Sequence, residues 1–285
     1  MNPFSLHGQG AAFLTAGLIA KSDKIESSRY TINLWNDMRE KLSIKSRLDY
    51  LVALLSYGQV MDRRVGKGNH FQLINDSLLN IKRELVIELT YPILGEKNGS
   101  SILAEAYIVR INDAASALLA AAVTSISKKV ESTKELINIW SQIRNMNMVN
   151  DNSEYLTALL ASSRLNDLKQ VIDDGDSIEL ILDNFKNLLN SVEPKLKVTK
   201  CDLAAAHLTI ALISQTPEIE SNAQVLDNWK KLKSEFEIND DDLSITAAIL
   251  SGGLILNRTM KLELADIYEI FSGIKNRLEI YTGAN

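Results

Sequence analysis

The sequence has few of the residues that build disulfides and transition-metal sites. It contains one cysteine and three histidines among 285 residues. A single cysteine, Cys201, excludes a disulfide within the chain and is typical of a protein in a reducing compartment. The histidines and the cysteine do not follow the spacing of a zinc site, so neither a metal nor a cofactor is expected.

Proline and long runs of one charge are scarce as well. Four prolines and the absence of low-complexity tracts leave little sequence that is typical of disorder. The net charge of −5 arises from interspersed acidic and basic residues, without the basic run that usually marks a nucleic-acid-binding face. Nucleic acid is therefore not an expected partner, whereas a hydrophobic content of 46% is ample for a large core.

One pattern is present three times: an Ile or Val, then Glu-Ser, seven residues, and Trp. The chain has three tryptophans, and each of them stands at the same place in its copy. A pattern that recurs at roughly 100 residues indicates an internally repeated fold. The three copies of the pattern cover residues 25–35, 130–140 and 219–229.

Each copy is predicted to contain four helices. The first is Ala-rich and apolar on nearly all sides, which is typical of a buried helix. The second begins at the repeated Ser, an N-cap residue, and Ser132 and Ser221 are followed three residues later by Glu135 and Gln224, as in a capping box. In the third helix, an Ala-Leu-Leu core follows a turn rich in capping residues. In the fourth, apolar residues step by three and four, a period that excludes a strand.

These features predict an all-α fold of about twelve helices, built as three tandem four-helix repeats in one continuous domain. The predicted repeats are residues 1–98, 99–196 and 197–285. Stacked helix sets of this kind are typical of α-solenoids such as HEAT or armadillo arrays, although this repeat is longer than theirs. The sequence leaves open whether the array is an open α-solenoid or a closed α/α superhelix.

The apolar stretch near the start of the chain is too short to span a bilayer. It runs from Ala11 to Ala20, whereas a transmembrane helix needs about 20 residues. No positive charge precedes it, in contrast to a secretory signal peptide. Its counterparts lie deep inside the second and third copies, so we interpret it as a buried helix and expect a cytoplasmic protein without a membrane partner.

The repeated Glu-Ser pairs and tryptophans are interpreted as structural rather than catalytic. Capping explains both residue types at the start of a helix. Each Trp lies in the middle of an apolar stripe, which predicts burial rather than an exposed aromatic groove. Three cations, each four residues beyond a Trp, are interpreted as partners of the helix dipole; they are Arg39, Arg144 and Lys233.

A basic, glycine-containing loop in the first copy is the first candidate site. Its glycines would let backbone N–H groups approach an anion. The equivalent loops of the other copies carry different charges, so an ordinary solvated loop is the alternative. The residues proposed for an anion or a partner are Arg63, Arg64, Lys67 and His70.

A second candidate site depends on closure of the three copies into a ring. Polar residues just before the first helix of each copy could then converge on a pseudo-threefold axis. The alternative is that the acidic residues cap helices and that His207, which replaces apolar residues of the other copies, is a core histidine. The residues of this candidate site are His7, Asp113, Cys201, Asp202 and His207.

No nucleophilic triad, nucleotide fingerprint or pair of catalytic carboxylates is evident. The repeat architecture therefore favours a non-enzymatic module that binds a protein or peptide partner. The alternative is a ring that binds a small ligand or catalyses a reaction at a polar site near its axis, and a third possibility is a structural subunit of a larger assembly.

Overall fold

A computed structural model describes residues 3–42, 44–62, 70–94, 109–125, 132–146, 149–166, 174–192, 196–215, 221–258 and 262–282. Within these ranges, residues 62, 70–73, 90–94, 163–166, 174–177 and 281–282 are described by their backbone alone. The described residues form twelve helices and no strand, which confirms the all-α prediction for this part of the chain. The helices are α1 Leu6–Ala20, α2 Ser28–Lys41, α3 Arg47–Asp62, α4 His70–Leu94, α5 Ile111–Ser125, α6 Thr133–Met146, α7 Asn152–Asn166, α8 Asp174–Leu189, α9 Lys200–Ser214, α10 Asn222–Glu235, α11 Asp242–Asn257 and α12 Leu264–Thr282.

The six odd-numbered helices form a closed inner ring. Along the chain, α1 packs on α3, α3 on α5, α5 on α7, α7 on α9 and α9 on α11. Helix α11 then packs against α1, which closes the ring. Each even-numbered helix packs on the inner helix that precedes it, so the even-numbered helices form an outer layer. These contacts are compatible with a helical repeat.

The inner helices are apolar on nearly every side because they contact neighbours on nearly every side. In α1, all residues from Gly8 to Ile19 are buried, as predicted for an Ala-rich helix without an exposed face. The outer helices instead bury one stripe. In α12 this stripe consists of Ile267, Phe271, Ile274 and Leu278, the residues whose spacing predicted the helix.

Two glycines allow the backbones of neighbouring inner helices to approach closely. A Cβ atom built on Gly253 of α11 would lie 2.6 Å from the Cα atom of Ala16 in α1. A Cβ atom on Gly58 of α3 would lie 2.8 Å from the Cα atom of Ala121 in α5. Real Cβ atoms are not found at such distances, so glycine is needed at both seams.

The side chain of Asn257 fastens the last inner helix to the first. Its amide nitrogen donates to the backbone oxygens of Ser22, at 3.1 Å, and Lys24, at 2.9 Å. Its amide oxygen accepts from the backbone N–H of Glu26 at 2.9 Å. Three hydrogen bonds from one nearly buried amide therefore tie the end of α11 to the segment that connects α1 with α2.

The predicted caps of the outer helices are present. Ser132 and Glu135 exchange side-chain and backbone hydrogen bonds at 2.8 and 3.2 Å, which is a capping box. Ser221 and Gln224 make the same box at 2.7 and 3.2 Å, whereas Ser27 caps α2 by its hydroxyl alone. Among the described helices, none combines the length and the apolar character needed to cross a membrane.

Candidate functional site

Each tryptophan joins an outer helix to the first turn of an inner helix. All three indole rings are buried, as predicted from the apolar stripe. The indole N–H donates to the backbone oxygen of the residue 27 positions earlier, at 2.9 to 3.1 Å. The pairs are Trp35 with Gly8, Trp140 with Asp113, and Trp229 with Asp202.

A cation covers each indole ring, and in two places it also pairs with a buried carboxylate. The charged groups of the cations lie 4.9 to 5.5 Å from the ring centroids of their tryptophans, within cation–π range. Arg144 Nε lies 2.5 Å from an oxygen of Asp113, and Lys233 Nζ lies 2.5 Å from an oxygen of Asp202. Both aspartates are only 1% exposed. Around Trp35, Gly8 occupies the position that is aspartate around Trp140 and Trp229. Arg39 therefore faces no carboxylate at that position.

Sequence reasoning missed these three clusters, which we call the Trp–cation clusters. It interpreted Arg39, Arg144 and Lys233 as partners of their own helix dipoles. The available signal was a constant separation of 31 residues between each cation and Gly8, Asp113 or Asp202. The carboxylates pair with cations from the outer layer and accept the backbone N–H groups of Arg110 and Thr199, which immediately precede α5 and α9, so their arrangement is suited to holding the layers together.

A cavity occupies the axis of the ring. Residues from all six inner helices line it, mainly from the C-terminal halves of those helices. About 60 Å³ of it can be occupied by the centre of a water-sized sphere, which is room for roughly four to six waters or a molecule of about that many heavy atoms. The lining is mostly apolar, and within the described part of the chain it includes no Asp, Glu, Lys or Arg. Its polar members are Tyr57, Ser125, Ser162 and His207.

The N-terminal half of the axis is filled by aromatic side chains instead. The ring of Phe13 lies 6.4 Å from that of Tyr50 in an edge-on arrangement. The phenol of Tyr50 pairs with the phenol of Tyr155, which stands at the matching place in α7. Burial raises the pKa of Tyr155 to about 12, so both phenols stay protonated. The cavity therefore has aromatic side chains at its N-terminal end and extends toward the C-terminal halves of the inner helices.

The cavity exists because three matching positions carry side chains of different size. Seven residues beyond Tyr50 and Tyr155 lie Tyr57 and Ser162, and the matching residue of α11 is Gly252. All three line the cavity. Three tyrosines would fill this level of the axis, whereas one tyrosine, one serine and one glycine leave space.

His207 and Tyr57 are uncharged polar groups in the wall of the cavity. Their rings lie 5.4 and 5.6 Å from the ring of Phe13, which stands between them. Burial lowers the pKa of His207 to about 4, so its imidazole is neutral at physiological pH. Burial raises the pKa of Tyr57 to about 12, so its phenol keeps its proton. The imidazole can donate and accept a hydrogen bond, and the phenol is available as a donor.

The neutral state of His207 makes the stability of the fold sensitive to acid. Its pKa is about 4 in the folded chain against an ordinary value of 6.5, so the unfolded chain binds the proton first. The contribution of the neutral imidazole to the stability of the folded chain is complete above pH 6.5, and it is lost as the pH falls toward 4. When the pH falls from 7.5 to 4.5, the unfolding free energy of the wild type should fall by about 2 kcal/mol more than that of His207→Leu. Urea denaturation at the two pH values measures this difference. Leucine is present at the matching position of α5, Leu118, and an equal acid sensitivity of both proteins would contradict this expectation.

The residues of the predicted axial site occupy different parts of the molecule. Asp113 and Asp202 belong to the Trp–cation clusters, which face the outer layer, whereas His207 lines the axial cavity. His7 is half-buried, and its Nδ1 atom has no hydrogen-bond partner among the described residues. Burial, with a smaller contribution from the Asp202 carboxylate, raises the pKa of the Cys201 thiol and so keeps it protonated. The structure thus places only His207 of these five on the axial cavity.

The predicted basic loop lies outside the described residues. Arg63, Arg64 and Lys67 fall in the range 63–69, and His70 is the first residue of α4, where only the backbone is described. Within the described part of the chain, no group of three or more His, Cys, Asp and Glu side chains is arranged to hold a metal ion.

Comparisons with protein-family models, curated proteins and solved structures give no match.

Proposed function

We propose that this chain is a non-catalytic binding protein that holds a small, mostly apolar molecule in the axial cavity. The cavity supports this proposal by its composition, because an apolar wall with a few polar groups is typical of a ligand site. Apolar cavities of this kind take up small apolar molecules readily, since water gains few hydrogen bonds inside them. No catalysis is proposed, because the titratable groups in the described lining are a neutral imidazole and a phenol.

We also propose that the ring consists of three tandem copies of a four-helix unit. The three indole-to-backbone hydrogen bonds support this, since each spans 27 residues and joins the same two helices of its copy. In this arrangement the cavity lies on the pseudo-threefold axis. At the cavity the three units carry different residues, Tyr57, Ser162 and Gly252, at one matching position. A cytoplasmic location is proposed from the single cysteine.

The expected protein or peptide partner stays a prediction. An open solenoid offers the concave surface of its inner helices to a partner. In this ring the inner helices surround the axis and are covered by the outer layer, so a protein partner would have to bind the outer helices or the ends of the ring. The cavity gives a more specific site than that surface, and it favours a small ligand.

Filling the cavity is expected to abolish ligand binding without loss of the fold. Gly252 lines the cavity, and a Cβ atom there would approach the Cβ atom of Ala211 no closer than 3.8 Å. The side chain of Gly252→Leu would therefore extend into the cavity. We expect 1-butanol to bind the wild type with measurable heat in titration calorimetry, and we expect at least a tenfold loss of affinity in the variant, roughly the value of two buried methylene groups.

Gly273→Leu is the matched control for this substitution. Gly273 is also a helical glycine with open space, since its Cβ atom would lie 3.9 Å from Ser28 Oγ, but it belongs to the outer helix α12. This variant should bind 1-butanol as the wild type does. Equal binding by the wild type and Gly252→Leu, or no binding by any of the three proteins, would overturn the proposed function.

A further inference from the structure

We propose that a groove in the outer layer beside Trp229 binds a helical segment of a protein partner that carries a carboxylate next to apolar side chains. The groove lies between the end of α8 and α10, away from the axial cavity, so this site goes beyond the proposed function and does not depend on it. Three observations support it: the open seam between α8 and α10, the lysines in the groove, and the helix that fills the matching place at another seam.

The last outer helix of each unit faces the first outer helix of the next unit, and at one of these three seams the two hardly touch. Helix α4 packs on α6 and α12 packs on α2, whereas α8 makes much less contact with α10. The reason is the length of the helices. Helix α4 has 25 residues and α12 has 19, but α8 has only 16. Leu85 of α4 and Leu278 of α12 are followed by at least one more turn of helix, whereas α8 ends at Leu189, before the matching residue, Val192.

The space left at this seam is a groove of about 480 Å³. A volume of this size is within the range of pockets that hold ligands. Trp229 is 6% exposed, whereas Trp35 and Trp140 are 0% exposed, so the indole at the groove keeps accessible surface that the other two lack. The apolar part of the lining consists of Val192, Leu196, Leu226 and Trp229.

The charged residues of the described lining are two lysines of α10. Lys233 pairs with the buried Asp202 at 2.5 Å, which fixes its position at the groove. Lys230 lies about one turn earlier in the helix and is exposed. Residues 193–195, at the rim, lie outside the described part of the chain; they contain one acidic and one basic residue and therefore add no net charge. The lysines thus give the groove a charge that complements a carboxylate of the partner.

The seam between α4 and α6 shows how a helix occupies such a place. Glu88, near the end of α4, accepts a hydrogen bond from the hydroxyl of Ser141 in α6 at 2.7 Å. Ser141 matches Lys230, since each directly follows the Trp of its unit. The residue after Glu88 is Leu89, which is buried. A partner helix that took the same place beside α10 would bring its carboxylate to an ammonium group and its apolar residues to the groove, as in other helix-in-groove complexes.

The test uses an acetylated and amidated peptide with the sequence of residues 84–91, because this segment fills the matching place at the other seam. The peptide is titrated into the full chain at about 0.15 M salt, and the indole N–H signals are followed by NMR. We expect a saturable shift of the Trp229 signal and no shift of the Trp140 signal. The same peptide with Glu88→Lys should bind about fivefold more weakly, since it loses an exposed ion pair.

Two results would overturn this proposal: a Trp229 signal that does not move, or equal binding of the two peptides. A change of the Trp229 signal with protein concentration in the absence of peptide would contradict it as well, because it would make a second copy of the chain the occupant of the groove.

Lys230→Glu and Lys231→Glu are a matched pair of variants, because they make the same charge change at neighbouring exposed positions of α10. Of the two residues, Lys230 lines the groove. Lys230→Glu should weaken binding of the peptide by about fivefold, and Lys231→Glu should leave it nearly unchanged at this salt concentration. Equal weakening by both would show that net charge alone attracts the peptide, and it would overturn the site. Circular dichroism checks the fold of both variants, and Lys230→Ala replaces Lys230→Glu if the latter does not fold.

Discussion

Replacement of Gly253 by alanine is expected to lower the free energy of unfolding by about 3 kcal/mol, the upper end of ordinary overpacking costs. The added Cβ atom would lie 2.6 Å from the Cα atom and 2.8 Å from the backbone oxygen of Ala16. Neither of these backbone atoms can rotate away, so α11 and α1 would have to move apart. This seam closes the ring, and the strain would therefore act where the first and last inner helices meet.

Gly252→Ala is the control for this prediction, because it changes the adjacent residue of the same helix in the same way. Its Cβ atom would lie 3.8 Å from the nearest atom, which is ordinary contact. Alanine is favoured over glycine in a helix, so this variant should be unchanged or more stable by up to about 1 kcal/mol. Urea denaturation of both variants measures the difference. Similar stability of the two would mean that α11 and α1 do not approach each other as closely as the structure has them.

Replacement of Arg144 by leucine is expected to cost about 3 to 5 kcal/mol, the usual result of removing one partner of a buried ion pair. Its Nε atom lies 2.5 Å from the carboxylate of Asp113, which is 1% exposed. The carboxylate would keep the backbone N–H of Arg110 at 2.7 Å but would lose the ion pair with Arg144. The ring of Trp140 would also lose the guanidinium that covers it.

Arg39→Leu is the matched control, because the first Trp–cation cluster has the cation and the indole but no carboxylate. Gly8 stands at the position of Asp113, so this variant loses the cation–π contact, worth about 1 kcal/mol, and a hydrogen bond to Asn36 Oδ1, but no contact with a carboxylate at that position. Lys233→Leu should resemble Arg144→Leu, since Lys233 pairs with Asp202. Equal losses for Arg39→Leu and Arg144→Leu in thermal or urea denaturation would show that the ion pair contributes nothing beyond the stacked cation.

The helices, their caps and the buried tryptophans could be predicted because local physical chemistry determines them. A stripe with period 3.6 is a property of neighbouring residues, and a Ser before such a stripe can cap the helix whatever the rest of the fold does. Trp140 lies in the stripe of α6 between Ile137 and Ile143, and burial of the stripe buries the indole as well. The repeated pattern also indicated equivalent positions, which is why the constant separation of cation and aspartate was available as a signal.

The candidate site was predicted only in part, because it depends on which way each inner helix turns its faces. His207 was singled out since it replaces apolar residues, and it lines the axial cavity. Asp113 and Asp202 were grouped with it because they stand at matching places near helix starts. Their side chains face the outer layer, where Arg144 and Lys233 meet them. A position along a helix does not indicate whether the residue points to the axis or away from it until the neighbouring helices are placed.

The sequence by itself determined an all-helical chain with apolar inner helices and capped amphipathic outer helices, since residues a few positions apart suffice for those features. Closure of the ring, the axial cavity and the Trp–cation clusters were decided by the tertiary structure. Closure requires small rotations between successive helices to add up to a full turn, and it is held by contacts such as Gly253 with Ala16 and Asn257 with Ser22, which lie more than 230 residues apart. The cavity is what remains on the axis when a tyrosine, a serine and a glycine meet there, and only the closed ring brings those three together.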